Sequence, residues 1–242
     1  MPNHPASAPD LAARIINAET GTTALHQAAE KGTLKDISGV TAEFLATVKD
    51  NDGETPLHDA AHCGHLDQIP GVTAELLANV KNNYAWTPLH DAATYGHLDQ
   101  IPGVTAEFLA IVKDNTGCTP LHLAAMKGHL DQVPGVTADL LATVKDNDGR
   151  TPLHIAAYNG HLAQIPGVTA ELLAIAKNNA GWTPLHSAAW HGHLDQIPGV
   201  TAELLATVKD NYDCTPLHSA AWEGYLDQIP GVTAELLSLI HI

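Results

Sequence analysis

The sequence predicts an all-α solenoid of stacked short helices with projecting finger loops. Three observations lead to this fold class. The motif T-P-L-H returns every 32 residues from Thr55 onwards, a short amphipathic helix pattern follows each copy, and turn-forming residues separate the copies. A fixed period of about 20 to 50 residues is typical of repeat proteins. A core shared by repeated units therefore fits the 242 residues better than two unrelated domains.

The repeats begin at Thr23 with the variant T-A-L-H, and residues 1–22 are expected to form an N-terminal tail with a capping helix. In that segment Leu11, Ile15 and Ile16 are the residues expected to cover the first repeat. The array occupies residues 23–242, with units 23–54, 55–86, 87–118, 119–150, 151–182, 183–214 and an incomplete 215–242.

The first helix of each unit begins at the conserved Thr-Pro pair. The hydroxyl of Thr55 can accept a free amide of the first turn, and the following Pro has a preset φ and no amide to satisfy. Leu57, Ala60 and Ala61 are spaced three and four residues apart, which places them on one face that a neighbouring helix can approach closely. Gly64 then predicts a left-handed end to the helix.

A second helix must be short, because Pro70 disfavours helical geometry in the residue before it and Gly follows at once. Thr73 can cap one further turn, in which Leu76 and Leu77 are expected to face inward. The Lys-, Asn-, Asp- and Gly-rich residues after Val80 lack helical periodicity and are rich in turn formers. They predict the finger loop that leads to the next Thr.

The unit T-P-L-H-x-A-A-x-x-G-H-L, with D-N-D-G or a related turn before the next Thr, resembles the ankyrin repeat. The resemblance covers residues 23–242. It implies stacked helix pairs, projecting loops and a concave protein-binding face without catalysis. The unit is 32 residues long where the ankyrin signature has about 33. The interrupted outer stretch predicts two short helical pieces in place of one longer outer helix.

The copies differ mainly at six places, which are position 5, positions 8 and 9, and the fingertip positions 30 to 32, counted from the initial Thr. In an ankyrin-like array these places line the concave surface. Of the four Trp and five Tyr residues, all but Tyr225 occupy them. The predicted partner-binding aromatic residues are Tyr84, Trp86, Tyr95, Tyr158, Trp182, Trp190, Tyr212 and Trp222. Trp and Tyr dominate interface hot spots, although packing between fingers is the alternative interpretation.

Charged residues at the same places are mostly acidic, and Asp59, Asp91 and Arg150 complete the predicted binding set. The excess of carboxylates favours a basic or amphipathic protein partner, whereas the alternative is that these charges only keep the array soluble. Across the chain, 27 Asp and Glu face 11 Lys and Arg, which gives a formal charge of −16. Nucleic acid and anionic membrane surfaces are therefore not expected partners.

The sequence offers no pattern typical of catalysis, a cofactor or a metal. Seven of the 16 His residues are the fourth residue of T-P-L-H or T-A-L-H, and five others open G-H-L. A structural role between a helix start and finger backbone is expected for them. His62, Cys63 and His65 form one local group of possible ligands, which makes a metal-dependent binder a further alternative function, but Gly64 interrupts the helix between them. We therefore predict a non-enzymatic protein without cofactor or metal.

The two ends of the chain also carry expectations. The first ten residues, M-P-N-H-P-A-S-A-P-D, have no basic start or apolar stretch, and no apolar run approaches about 18 residues, so a cytoplasmic or other intracellular location is expected. Leu239, Ile240 and Ile242 make the C-terminal end apolar. This end predicts either a longer natural protein or a homodimer, and a self-associating structural array is the alternative to a partner-binding scaffold.

Overall fold

A computed structural model describes residues 7–239 of the chain. The chain divides into two compact units, Met1–Pro120 and Leu121–Ile242. Both units are built from the repeated helical element, which confirms the predicted all-α repeat fold. Within the described residues the only strands are two very short ones near the N-terminus. No helix in this part of the chain has both the length and the apolar character needed to cross a bilayer.

The first unit combines a small N-terminal structure with three repeats. Its helices and strands are α1 (Ala8–Ala12), β1 (Ile15–Asn17), β2 (Thr22–Thr23), α2 (Ala24–Glu30), α3 (Ala42–Leu45), α4 (Pro56–Cys63), α5 (Ala74–Asn79), α6 (Pro88–Tyr95) and α7 (Ala106–Leu109). Single turns of 3-10 helix cover Leu34–Asp36, Leu66–Gln68 and Leu98–Gln100. Helix α4 packs between α2 and α6.

The second unit repeats the same helix pair four times. Its helices are α8 (Pro120–Lys127), α9 (Ala138–Thr143), α10 (Pro152–Asn159), α11 (Ala170–Ile175), α12 (Pro184–His191), α13 (Ala202–Thr207), α14 (Pro216–Glu223) and α15 (Ala234–Leu239). Single 3-10 turns cover Leu130–Gln132, Leu162–Gln164, Leu194–Gln196 and Leu226–Gln228. Helix α12 packs between α10 and α14.

The start of the first helix is held by its His in α2, α4, α6, α10, α12 and α14, and this His is buried in all of these except α14. In α4, Nδ1 of His58 accepts the backbone N–H of Thr55 at 3.1 Å. The proton of the neutral ring is therefore on Nε2, which donates to the carbonyl of Trp86 in the next finger at 3.3 Å. Burial lowers the pKa of His58 to about 4, so the ring is neutral at pH 7. The predicted structural role of this His is confirmed.

The helix ends also follow the sequence. Helix α4 ends at Gly64, whose φ of 73° is the predicted left-handed conformation. The next segment is only one 3-10 turn, and α5 begins at Thr73, whose Oγ1 accepts the backbone N–H of Leu76 at 3.2 Å. Leu77 is fully buried, whereas Leu76 is only half-buried. The two short outer pieces are present, with one inward-facing Leu rather than two.

Successive fingers are joined by hydrogen bonds one repeat apart. Nζ of Lys49 donates to the carbonyl of Lys81 at 2.8 Å, and Nδ2 of Asn83 donates to the carbonyl of Asn51 at 3.1 Å. In the second unit, Lys177 donates in the same way to the carbonyl of Lys209 at 2.7 Å. The recurrent Lys and Asn of the fingers therefore hold the fingers in register.

The N-terminal segment differs from its expected form. Helix α1 is present and buries Ala8, but Ile15 lies in β1, paired with Thr23. The side chain of Ile15 is 60% exposed and that of Ile16 is 42% exposed. The expected apolar cover through these two residues is wrong, because they lie on opposite faces of a two-stranded ribbon that is exposed on both sides.

The predicted apolar C-terminal end is only partly described. Ile240 and Ile242 lie outside the described residues, and so does the side chain of Leu239. Pairing of two chains through this end stays a prediction.

His58→Ala should lower the free energy of unfolding by about 1 to 3 kcal/mol, because the buried amide of Thr55 and carbonyl of Trp86 would lose their partner. His62→Ala on the same helix is the matched control, since His62 is exposed. It should change the free energy by about 0.5 kcal/mol or less. Urea unfolding followed by circular dichroism measures both, and equal effects would contradict the structural role of His58.

Candidate functional site

In the first unit, the predicted site residues Trp86 and Asp91 are in direct contact. The half-buried indole of Trp86 donates from Nε1 to Oδ1 of Asp91 at 2.8 Å. Its ring centroid lies 5.0 Å from that of His90. Trp86 therefore helps to fix its finger against α6, as the packing alternative proposed, and presents only part of its surface to solvent.

Two carboxyl groups of this surface, those of Asp59 and Asp91, are buried beside other acids. The Oδ2 atoms of both residues are buried and accept no hydrogen bond from the described protein. Burial raises the pKa of Asp59 to about 8, and Glu30 and Glu54 add to this effect. Burial also raises the pKa of Asp91 to about 8, although its hydrogen bond from Trp86 opposes the shift. Both groups are thus largely protonated at neutral pH.

Two tyrosines of the first unit, Tyr84 and Tyr95, are exposed. Tyr84 is at a fingertip, and Tyr95 lies in the last turn of α6. The Tyr95 ring stacks on the imidazole of His62, with centroids 3.8 Å apart and planes inclined by 26°. The stack restricts the Tyr95 side chain while leaving its other face open to solvent.

In the second unit, the last two complete fingers and helices α12 and α14 form an aromatic groove of about 310 Å³. The groove is lined by Trp182, Trp190, Asp210, Tyr212, Cys214, His218, Ser219 and Trp222. Four of these residues, Trp182, Trp190, Tyr212 and Trp222, belong to the predicted binding set. The structure therefore brings half of the predicted aromatic residues together at one place.

Three hydrogen bonds to the carboxylate of Asp210 fix the floor of the aromatic groove. Its Oδ1 accepts the backbone N–H groups of Tyr212 at 2.8 Å and Cys214 at 2.9 Å. Its Oδ2 accepts Nε1–H of Trp182 at 3.0 Å. The Trp182 ring lies 5.9 Å from Trp190, with their planes inclined by 47°. Two aromatic walls are thus fixed around a carboxylate that is 9% exposed.

The remaining site residues of the second unit lie outside this groove. Tyr158 is exposed and packs on His191, with ring centroids 3.8 Å apart. Arg150 pairs through Nε with Asp146 at 2.8 Å and through a terminal nitrogen with Asp148 at 3.2 Å. The guanidinium therefore pairs with two acids of its own finger. A role of Arg150 in partner binding stays a prediction.

Sequence reasoning missed two strained fingertip residues. Ala85 and Asp213 have φ values of 59° and 62°, and each directly follows a fingertip Tyr. Four of the other fingers place Gly at this position, with Gly53 as one example. A left-handed conformation costs a non-Gly residue roughly 1 kcal/mol. Comparison of the copies could have found these two residues, because the two fingers that lack Gly at this position are the two that carry a fingertip Tyr.

The possible metal ligands do not converge. Within residues 7–239, no group of three His, Cys, Asp or Glu side chains is placed to hold an ion. In the local group noted in the sequence, His62 stacks on Tyr95, and Nδ1 of His65 bonds to the carbonyl of Ala29 at 2.9 Å. These two rings make contacts of the kind expected within a repeat array.

Comparison with known proteins identifies one family. The model for ankyrin repeats (3 copies) matches residues 7–70, 46–103, 71–135, 107–172 and 136–198. These overlapping matches extend over most of the 242 residues. No curated protein matches the chain.

Replacing both buried acids, Asp59→Asn and Asp91→Asn, should stabilise the chain at alkaline pH. The native pKa values near 8 lie above the ordinary value of 3.8, so the native state releases these protons later than the unfolded state. The free energy of unfolding must then fall as pH rises through this interval. Removing the two acids should raise it by on the order of 1 to 3 kcal/mol near pH 8.

The measurement is urea unfolding between about pH 6.5 and about pH 8.5, above the range in which the buried histidines titrate. Asp67→Asn with Asp99→Asn is the matched control, because both of these residues are exposed. A pH dependence that is unchanged in the first variant would contradict the buried, protonated state of Asp59 and Asp91.

Proposed function

Because this chain belongs to the ankyrin repeat family, we propose that it is a non-enzymatic scaffold that binds a protein partner through its fingertips and the exposed side of its first helices. Members of this family generally mediate interactions between proteins. The repeated scaffold supplies the frame, and the residues that vary between copies supply the contact surface.

The observation that carries the proposal is the exposure of the variable aromatic side chains. Tyr212 is 81% exposed and Trp222 is 83% exposed, although solvation of large aromatic surface is unfavourable. Tyr84, Tyr95 and Tyr158 are exposed in the same way. Exposed aromatic residues grouped on one kind of surface mark interaction sites, and they contribute strongly to binding.

The acids of the first unit favour a basic or amphipathic partner. Glu30 and Asp52 lie at the variable places of this unit and are exposed. A Lys or Arg side chain of a partner can pair with these carboxylates. Fingertip strain at Ala85 and Asp213 also supports a functional surface, because strained backbone is concentrated at binding sites.

Replacement of the exposed aromatic residues of the second unit, Tyr158→Ala, Tyr212→Ala and Trp222→Ala, should weaken binding of a captured partner at least about tenfold. Helicity should be unchanged, since the side chains are exposed. The partner is first identified by affinity capture with the wild-type chain and mass spectrometry. Its affinity for each variant is then measured by calorimetry.

The matched control is Ile111→Ala with Ile175→Ala. These side chains are 74% and 73% exposed but belong to the outer layer of the repeat, away from the fingertips and first helices. The control should bind the partner as the wild type does. Equal loss of affinity in both variants would contradict the assigned face.

A further inference from the structure

We propose that the aromatic groove of the second unit binds the methylated ammonium group of an alkylated lysine side chain on a protein partner. The inference rests on the proposed function and deepens it by naming the chemistry that one surface recognises. It is carried by the arrangement of Trp182, Trp190, Tyr212 and Trp222 around the carboxylate of Asp210.

The rings provide the faces that an alkylated cation needs. Trp182 and Trp190 are 5.9 Å apart with planes inclined by 47°, so they form two non-parallel walls, and Tyr212 and Trp222 line the same groove. The face of an aromatic ring attracts a cation within about 6 Å of its centroid, and Trp is the strongest of the three aromatic residues. The groove volume of about 310 Å³ suits a single side-chain head rather than a helix.

The hydrogen bonds of Asp210 explain why an alkylated ammonium suits this groove better than a bare one. Three donors already occupy the carboxylate, namely Nε1 of Trp182 and the backbone N–H groups of Tyr212 and Cys214. The carboxylate therefore supplies negative charge, while three of its roughly four hydrogen-bond acceptor positions are already used. A bare ammonium would lose hydration without regaining its hydrogen bonds, whereas a trimethylated one has no N–H to satisfy.

The electrostatic surroundings favour a cation over a neutral side chain of similar shape. Asp210 lies in the groove, Glu223 follows Trp222 in the sequence, and the whole chain has a formal charge of −16. His218, Cys214 and Ser219 complete the lining of the groove. An apolar side chain would gain ring contact but none of this charge complementarity.

The test is a nuclear magnetic resonance titration of the four indole Nε1–H signals of the full chain. The probe is a five-residue Ala/Ser peptide with a central trimethyllysine. Its counterparts carry unmodified Lys, Arg, or the neutral tert-butyl analogue of trimethyllysine. The signals of Trp182, Trp190 and Trp222 report on the groove, and Trp86, in the first unit, is the internal control.

We expect the trimethyllysine peptide to shift the three groove signals, to leave that of Trp86 unchanged, and to bind about tenfold more tightly than the Lys, Arg and tert-butyl peptides. Trp222→Ala and Tyr212→Ala should each weaken this binding at least about threefold, because each removes one ring from the groove. Both side chains are over 80% exposed, so neither change should unfold the chain. Ile175→Ala, an exposed outer-layer residue of the same unit outside the groove, should leave the affinity unchanged.

Three results would overturn the inference. Equal binding of the tert-butyl peptide would make the groove a simple apolar site, and tighter binding of the Arg or Lys peptide would assign it to an unmodified cation. If the trimethyllysine peptide at millimolar concentration shifts none of the three groove signals, the groove does not bind a trimethylated ammonium group. Since the titration needs no natural partner, its failure leaves the calorimetric test of partner binding intact, and failure of that test leaves the titration intact.

Discussion

The buried His of the first helix is the interaction on which the rest of each unit depends. One ring nitrogen satisfies the start of its own helix, and the other donates to a carbonyl of the next finger. The distances from Nε2 to that carbonyl range from 3.0 Å for His154 to 3.3 Å for His58. A neutral imidazole is suited to this task because it is both an acceptor and a donor. Burial lowers the pKa of His58 and His154 to about 4 and also lowers that of His186, which favours the neutral ring in these three repeats.

This hydrogen bond between a helix and the next finger helps repeats of short helices to form a stable array. Helices of four to eight residues are marginal by themselves, so neighbouring repeats must stabilise them. The His bond fixes each finger against the preceding helix, while Lys49 and Asn83 connect fingers one repeat apart. Because the backbone is held by repeated residues, the fingertip side chains are free to vary. That freedom accounts for the aromatic residues at the tips and on the neighbouring first helices, and for strained Ala85 and Asp213 at the tips.

Much of the scaffold could be predicted from the sequence, because T-P, G-H-L and T-A-E-L-L act through local backbone chemistry. The helix start at Thr55, the left-handed Gly64 and the outer turn at Thr73 follow from side chains within a few residues. The exposure of Ile15 could not be foreseen, since it depends on the strand pairing with Thr23. The grouping of four aromatic residues with Asp210 could not be foreseen either, because it depends on how two fingers and two helices are placed in space.

The same repeat position carries different chemistry in the two units because its neighbours differ. Trp86 and Trp182 occupy equivalent places and both donate from Nε1 to a carboxylate. Trp86 uses Asp91 of the helix that follows it, whose other oxygen is buried without a described hydrogen-bond donor and whose pKa is raised. Trp182 instead uses Asp210 of the next finger, where backbone amides complete the carboxylate. The same repeat thereby places an acid with a raised pKa, Asp91, in the first unit, whereas Asp210 in the second unit already accepts three hydrogen bonds.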